Sequence, residues 1–326
     1  MGLAKPDPSS ASGGVPQALV SRIDGGHFNS KDYLWARGAF PGANTAEIIQ
    51  WQEMLNYSRR CAGPVPVTVA AEAKSLGVNQ TSMFAINYAS DVCAEISIAV
   101  RAVANLKSWD EFTRSVEEAR PYYSAYMFAV STAVESISAQ KTPRAQLARM
   151  ALRDQMLRTA IFWGEGGASD APQIGSSARS VLKIDFERAI RDADHANTIM
   201  LKNIVSEQGW PQISRVGREA ANNAWLIVQH ADDDPLFQVR ALRLMKPLLR
   251  RAEVNRASYA LLYDRVLLVL SGKQYYGTQF TCHLHAWTPL PIDDQKNVDQ
   301  RRVRMGLPVI SEYAKVVVRN FGTRCD

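Results

Sequence analysis

The strongest constraint on this chain is the spacing of its apolar residues, which recur every three or four positions from about Asn44 onward. That is the period of one face of an α-helix, so the core has to be built by packing helix on helix. Two of the stripes hold a carboxylate inside the apolar row. Asp154 sits among Met150, Leu157 and Ile161, and Asp194 among Ile190, Leu201 and Ile204, with Asn197 beside it. A carboxylate on a buried face is costly unless it is paired. Asp154 is therefore either half of a structural pair with Arg158, one turn on, or part of a site. Two inward carboxylates on separate helices are harder to dismiss than one. The expected class is mainly α, a multi-helix orthogonal bundle. At most a short β element is expected near residues 273–287, where Gln274, Tyr276, Thr278, Phe280, Cys282 and Leu284 alternate.

Punctuation divides the chain. Residues 1–43, rich in Gly, Pro and Ser, read as a flexible leader, residues 44–140 as an N-terminal helical region, and residues 144–320 as a C-terminal helical domain. Asn44 or Thr45 caps a helix whose face carries Ile48, Trp51 and Leu55. A second stripe runs from Phe84 and Tyr88 through Val92, Ile96, Ala99 and Val103. Ser108 to Glu111 is a capping-box pattern, and Pro121 is expected to end that helix and begin another. Gly209-Trp210-Pro211 stops the long helix carrying Asp194, Ser214 caps the next, and Asp234-Pro235 opens a further one. Pro247 bends that last helix, and Gly272 stops the helix with Asp264 and Arg265.

Composition excludes several classes. With 326 residues and 46% hydrophobic content, the chain can bury a sizeable core. A net charge of +6 comes from scattered arginines, not from a basic tract with interleaved aromatics, which argues against a nucleic-acid partner. No apolar run reaches the 18 or so residues of a membrane span, and Met1 to Gly14 lacks the apolar centre of a signal peptide. Cys61, Cys93, Cys282 and Cys325 are widely spaced. They fit two disulfides in an oxidising compartment or four buried thiols, and not a zinc knuckle or redox dithiol.

A set of short motifs falls on the ends of the apolar runs. They are Asp154-Gln155 with Arg158, Gly209-Trp210-Pro211, Gln229-His230-Ala231-Asp232, Gln238, Asp264-Arg265, and Gln274-x-Tyr276-Gly277-Thr278-Gln279, with Asp299, Arg301-Arg302 and Gly306-Leu307 later. In order and number these resemble an uncharacterised bacterial family known only as a domain of unknown function, over roughly residues 144–315. The resemblance implies candidate positions and no reaction. Export signals on some relatives tilt the expected location slightly toward the periplasm.

The residues themselves support one constellation. His230 with Asp264 or Asp154 suits general acid–base catalysis near neutral pH. Arg158, Asp194, Asp232, Arg265, Gln274, Tyr276 and Gln279 would bind a small polar, anionic or peptide-like substrate. No nucleophile elbow is present, so a Ser-His-Asp hydrolase is disfavoured. His230 with Asp232, and His283-x-His285 beside Trp287, have no recognised zinc spacing, so no metal and no cofactor are expected. Two functions remain in view: a hydrolase, lyase or transferase built on His230, or a non-catalytic ligand-binding or interaction module whose buried polar network is structural.

Overall fold

A computed structural model describes residues 14–24, 26–29, 31–63, 67–74, 77, 91–104, 106–165, 171–322 and 325. In chain order these form a 3-10 helix at Gln17–Arg22, β1 (Ile23–Asp24), β2 (His27–Phe28), a 3-10 helix at Leu34–Ala39, and α1 (Thr45–Arg60). There follow α2 (Val67–Lys74), α3 (Asp91–Val103), α4 (Trp109–Ser136), α5 (Pro143–Glu165), α6 (Ser176–Gln208), α7 (Ile213–Val216), α8 (Arg218–Gln229) and α9 (Pro235–Met245). A 3-10 helix at Lys246–Arg251 leads to α10 (Arg256–Ser271), β3 (Phe280–His283), β4 (Ala286–Pro289), a 3-10 turn at Gln295–Asn297, α11 (Val298–Arg304) and α12 (Ile310–Phe321). The fold is mainly α with short β elements. No described helix is long and apolar enough to cross a membrane.

Local chemistry explains most helix ends. Asn44 accepts from Glu47 N–H while the Glu47 carboxylate accepts from Asn44 N–H, a complete capping box. Ser108 and Asp234 cap α4 and α9, Pro235 occupies the first turn of α9, and α10 ends on Gly272 at φ 70°. Other expectations are corrected. Of the stretch read as a leader, the part from Gln17 to Ala39 holds two 3-10 helices and the antiparallel β1–β2 pair, with Leu19, Phe28, Trp35 and Phe40 buried. That hairpin is also a second β element, additional to the one near residues 273–287. Pro121 does not split α4, which continues through it. Pro121 is exposed, and burial of the helix on both sides of it, at Ala119 and Val130, outweighs the one lost hydrogen bond. Ile48 is exposed, and α1 buries Trp51, Met54 and Tyr57 instead. Ser214 lies inside the four-residue α7, and Gly217 at φ 86° precedes α8. Phe84 and Tyr88 lie outside the described residues.

The chain forms two compact units that interleave along the sequence. The first comprises residues 1–63, 88–140 and 149–196. Its core is aromatic: Trp35 stacks on Trp51 and meets Phe112 edge-on, while Phe186 contacts Tyr123, Tyr126 and Trp163. Gly38 allows its tight entry, since a Cβ there would sit 1.9 Å from the Glu47 carbonyl oxygen. A disulfide joins Cys61, after α1, to Cys93 in α3.

The second unit comprises residues 64–87, 141–148 and 197–326. Here α9 packs on α2, α8 and α10 around Ala224, Val228, Phe237, Leu242 and Leu262. Strands β3 and β4 pair antiparallel through a tight turn in which Leu284 and His285 take left-handed backbone, and Cys282 is bonded to Cys325.

The loops closed by the two disulfides, 32 and 43 residues apart in sequence, predict a loss of about 4 kcal/mol each when opened. Replacing both members of either pair by Ala should lower the denaturation midpoint accordingly. Mass spectrometry without reductant should find the chain lighter by its four thiol hydrogens.

Candidate functional site

Within each unit the sequence-predicted residues are held by local hydrogen bonds and ion pairs. In the first unit, Arg158 bridges the two carboxylates that the apolar stripes pointed to. Its Nε donates to Asp154 Oδ1 at 3.1 Å, and one terminal nitrogen donates to both Asp194 oxygens at 2.7 and 2.8 Å. Gln155 donates to the other oxygen of Asp154. Burial, reinforced by the neighbouring Asp154, pushes the Asp194 carboxyl up to about 8 against the pull of Arg158.

In the second unit, Asp264 is fully buried in the middle of α10. It is not a free base. Oδ1 accepts from the N–H groups of Tyr275 and Tyr276, both at 2.8 Å, and Oδ2 from the N–H and hydroxyl of Thr278, both at 2.9 Å. Burial raises its pKa, while these donors pull it back toward the ionised form that their geometry requires. Gln274 closes the same loop: its amide oxygen accepts from Gln279 N–H and its NH2 donates to the carbonyls of Gln279 and Leu290. The remaining carbonyls are taken by α11. Arg301 donates to Tyr275 O and Asp293 O, and the fully buried Arg302 to Tyr276 O, Gly277 O and Pro308 O. Gly277, at φ 68°, is required here, because a Cβ would lie 2.9 Å from both Ile292 and Ile310. Thus Asp264 and Gln274 serve the fold of residues 274–279. The side chain of Gln279 donates to Thr278, and Tyr276 packs edge-on against Tyr263 and Tyr275.

A third cluster follows α8. Asp232 binds Arg265 through both oxygens at 2.7 and 2.9 Å and accepts from Gln238, which also donates to the carbonyl of Val228. His230 ends α8, its N–H donating to Ile227 O. Two buried atoms of this region, Gln229 Oε1 and Arg265 Nε, have no hydrogen-bond partner among the described residues. His283 and His285 are exposed at the β3–β4 turn, where His285 Nδ1 lies 3.3 Å from the carbonyl oxygen of Cys325.

The second unit also contains a cleft of about 450 Å³. Arg218, Asn222 and Trp225, at i, i+4 and i+7 on one face of α8, form one wall. Trp210, Met245, Val254 and the start of α10 at Asn255 and Ser258 form the rest. Trp210 is set there by Gly209 at φ 72° and by Pro211, which stop α6. Ser258 donates to the Asn222 side chain at 3.3 Å. The buried indole N–H of Trp225 has no acceptor among the described residues.

Residues 171–326 match the model of a family of unknown function, DUF6624. No curated protein and no solved structure matches the chain. The DUF6624 segment begins later than the resemblance placed it, leaving Asp154 and Arg158 outside, and runs on to the last residue. It contains Asp194, His230, Asp232, Asp264, Arg265, Gln274, Tyr276 and Gln279, together with every wall of the cleft. Of the cleft, sequence reasoning found only the Gly209-Trp210-Pro211 stop. The missed signal was the row Arg218, Asn222, Trp225, a second face of α8 beside the small face of Ala220, Ala224 and Val228.

Two outcomes follow from the polar clusters. Replacing Asp264 by Asn turns one acceptor into a donor facing backbone N–H groups, and should cost about 2–4 kcal/mol in chemical denaturation. Asp194 titrates higher folded than unfolded, so its contribution is complete at low pH and is lost as pH rises through about 8. The melting temperature should fall by several degrees from pH 7 to 9, and Asp194→Asn, which removes the titrating group, should flatten that fall.

Proposed function

We propose that the DUF6624 segment is a binding module for a small amphiphilic ligand, an apolar planar body bearing a carboxylate, held in the Trp210–Trp225 cleft. The observation that carries this reading is the buried Trp225 N–H, a donor without an acceptor in the wall of a cleft of ligand size. The two indoles and Met245 provide apolar and aromatic surface. Asn222 adds an amide, and Arg218 with Glu219 places opposite charges at an exposed part of the wall. Such a set favours an anionic or peptide-like molecule. The two disulfides fit work in an oxidising compartment, which supports an exported protein.

A second reading, acid–base catalysis at His230, keeps one supporting observation: the unpartnered Gln229 Oε1 and Arg265 Nε in the segments around it. Asp264 has no part in that reading, because its lone pairs are committed to the 274–279 loop.

Tryptophan fluorescence and calorimetry with N-acetyl-tryptophan and hippurate separate the two. Binding should be saturable, weakened about tenfold by Trp225→Phe and reduced by Arg218→Ala, with His230→Ala unchanged. Equal affinity in Trp225→Phe would remove the cleft, and loss of binding in His230→Ala would transfer the site to the helix-end cluster.

A further inference from the structure

The first unit brings together a second set of polar groups, remote in sequence from one another. His27 in β2 directs Nδ1 to Glu95 Oε1 at 3.0 Å, and Glu95, on α3, is almost fully buried. The other Glu95 oxygen accepts from Phe28 N–H at 2.6 Å, which fixes the carboxylate in place. Asp192 approaches from α6, and one donor atom each from His27, Glu95 and Asp192 lies within 4.8 Å of the others. His195, at i+3 from Asp192 and so on the same face of α6, sets its ring edge-on against His27 with centroids 4.7 Å apart.

We infer that His27, Glu95 and Asp192 form a binding site for a divalent transition-metal ion of the zinc type. Zinc holds imidazole nitrogen and carboxylate oxygen at about 2.0–2.2 Å, so its tetrahedral ligand atoms lie about 3.4 Å apart, and donors within 4.8 Å of one another need to close by about 1.4 Å at most. The donor chemistry selects the ion: imidazole suits zinc, copper and nickel, whereas calcium and magnesium prefer oxygen alone. Three protein ligands leave a fourth position for water or for the imidazole of His195.

A simple His27–Glu95 pair does not account for the whole arrangement. It explains neither the exposed Asp192 carboxylate directed at the same point nor the second imidazole against the first. A dication held there would tie the β1–β2 hairpin to α3 and α6. The spacing rules that look for zinc ligands close in sequence do not find such a site, because its residues come from three distant elements.

Calorimetry of the chelator-treated full chain with Zn2+, and with Mg2+ as comparison, tests the site. The expected result is one Zn2+ per chain at micromolar affinity or tighter, a raised melting temperature, and no response to Mg2+. Asp192→Asn should weaken Zn2+ binding at least tenfold and His27→Ala should abolish it, while the paired change His283→Ala with His285→Ala leaves it unchanged. Asp192 is exposed, so its variant should fold even where His27→Ala does not. Absence of saturable binding, unchanged affinity in Asp192→Asn, or loss of binding in the His283/His285 variant would each overturn the inference.

Discussion

The second unit depends on one buried carboxylate. Asp264 is fully enclosed and accepts four hydrogen bonds from Tyr275, Tyr276 and Thr278, while Arg301 and Arg302 of α11 take the carbonyls of the same loop. A loop without helix or strand cannot satisfy its own backbone, and each buried group left unpaired costs about 1–3 kcal/mol. Here one anion and two cations do the work of secondary structure, at the cost of their own desolvation. They also lock α10 to α11 through a loop whose shape allows little variation: Gly277 has a positive φ and no room for a methyl group.

This accounts for what could be read in the sequence and what could not. Helix ends were legible because capping is local. Asn44 with Glu47, Asp234 with Pro235, and Gly272 each act within one turn of the boundary they set. The burial of Asp154 was legible for the same reason, since helical period alone places it on the apolar face. The purpose of a buried polar residue was not legible. Asp264 in an apolar helix looks the same whether it faces a substrate or a backbone loop, and the deciding donors lie 11 to 14 residues further on. Pro121 was misread because propensity is a weak term beside the burial of the rest of α4.

The cleft illustrates a different limit. Helix α8 has a small-residue face that packs and an adjacent face, through Arg218, Asn222 and Trp225, that does not. Periodicity identifies the first, because core residues are uniform in character. A binding wall mixes a cation, an amide and an aromatic ring, so the period is present and the hydropathy signal is not. Only the coordinates show that Trp210, which looks like a helix stop, meets that wall.

The two proposed sites also differ in how they relate to the family match. All residues of the cleft lie within residues 171–326, as does the loop held by Asp264. Of the ion site, Asp192 lies within the matched segment, whereas His27 and Glu95 lie outside it. The second unit itself reaches outside the matched segment, since α9 packs on α2. The proposed ion site instead draws on the N-terminal hairpin and α3 together with α6.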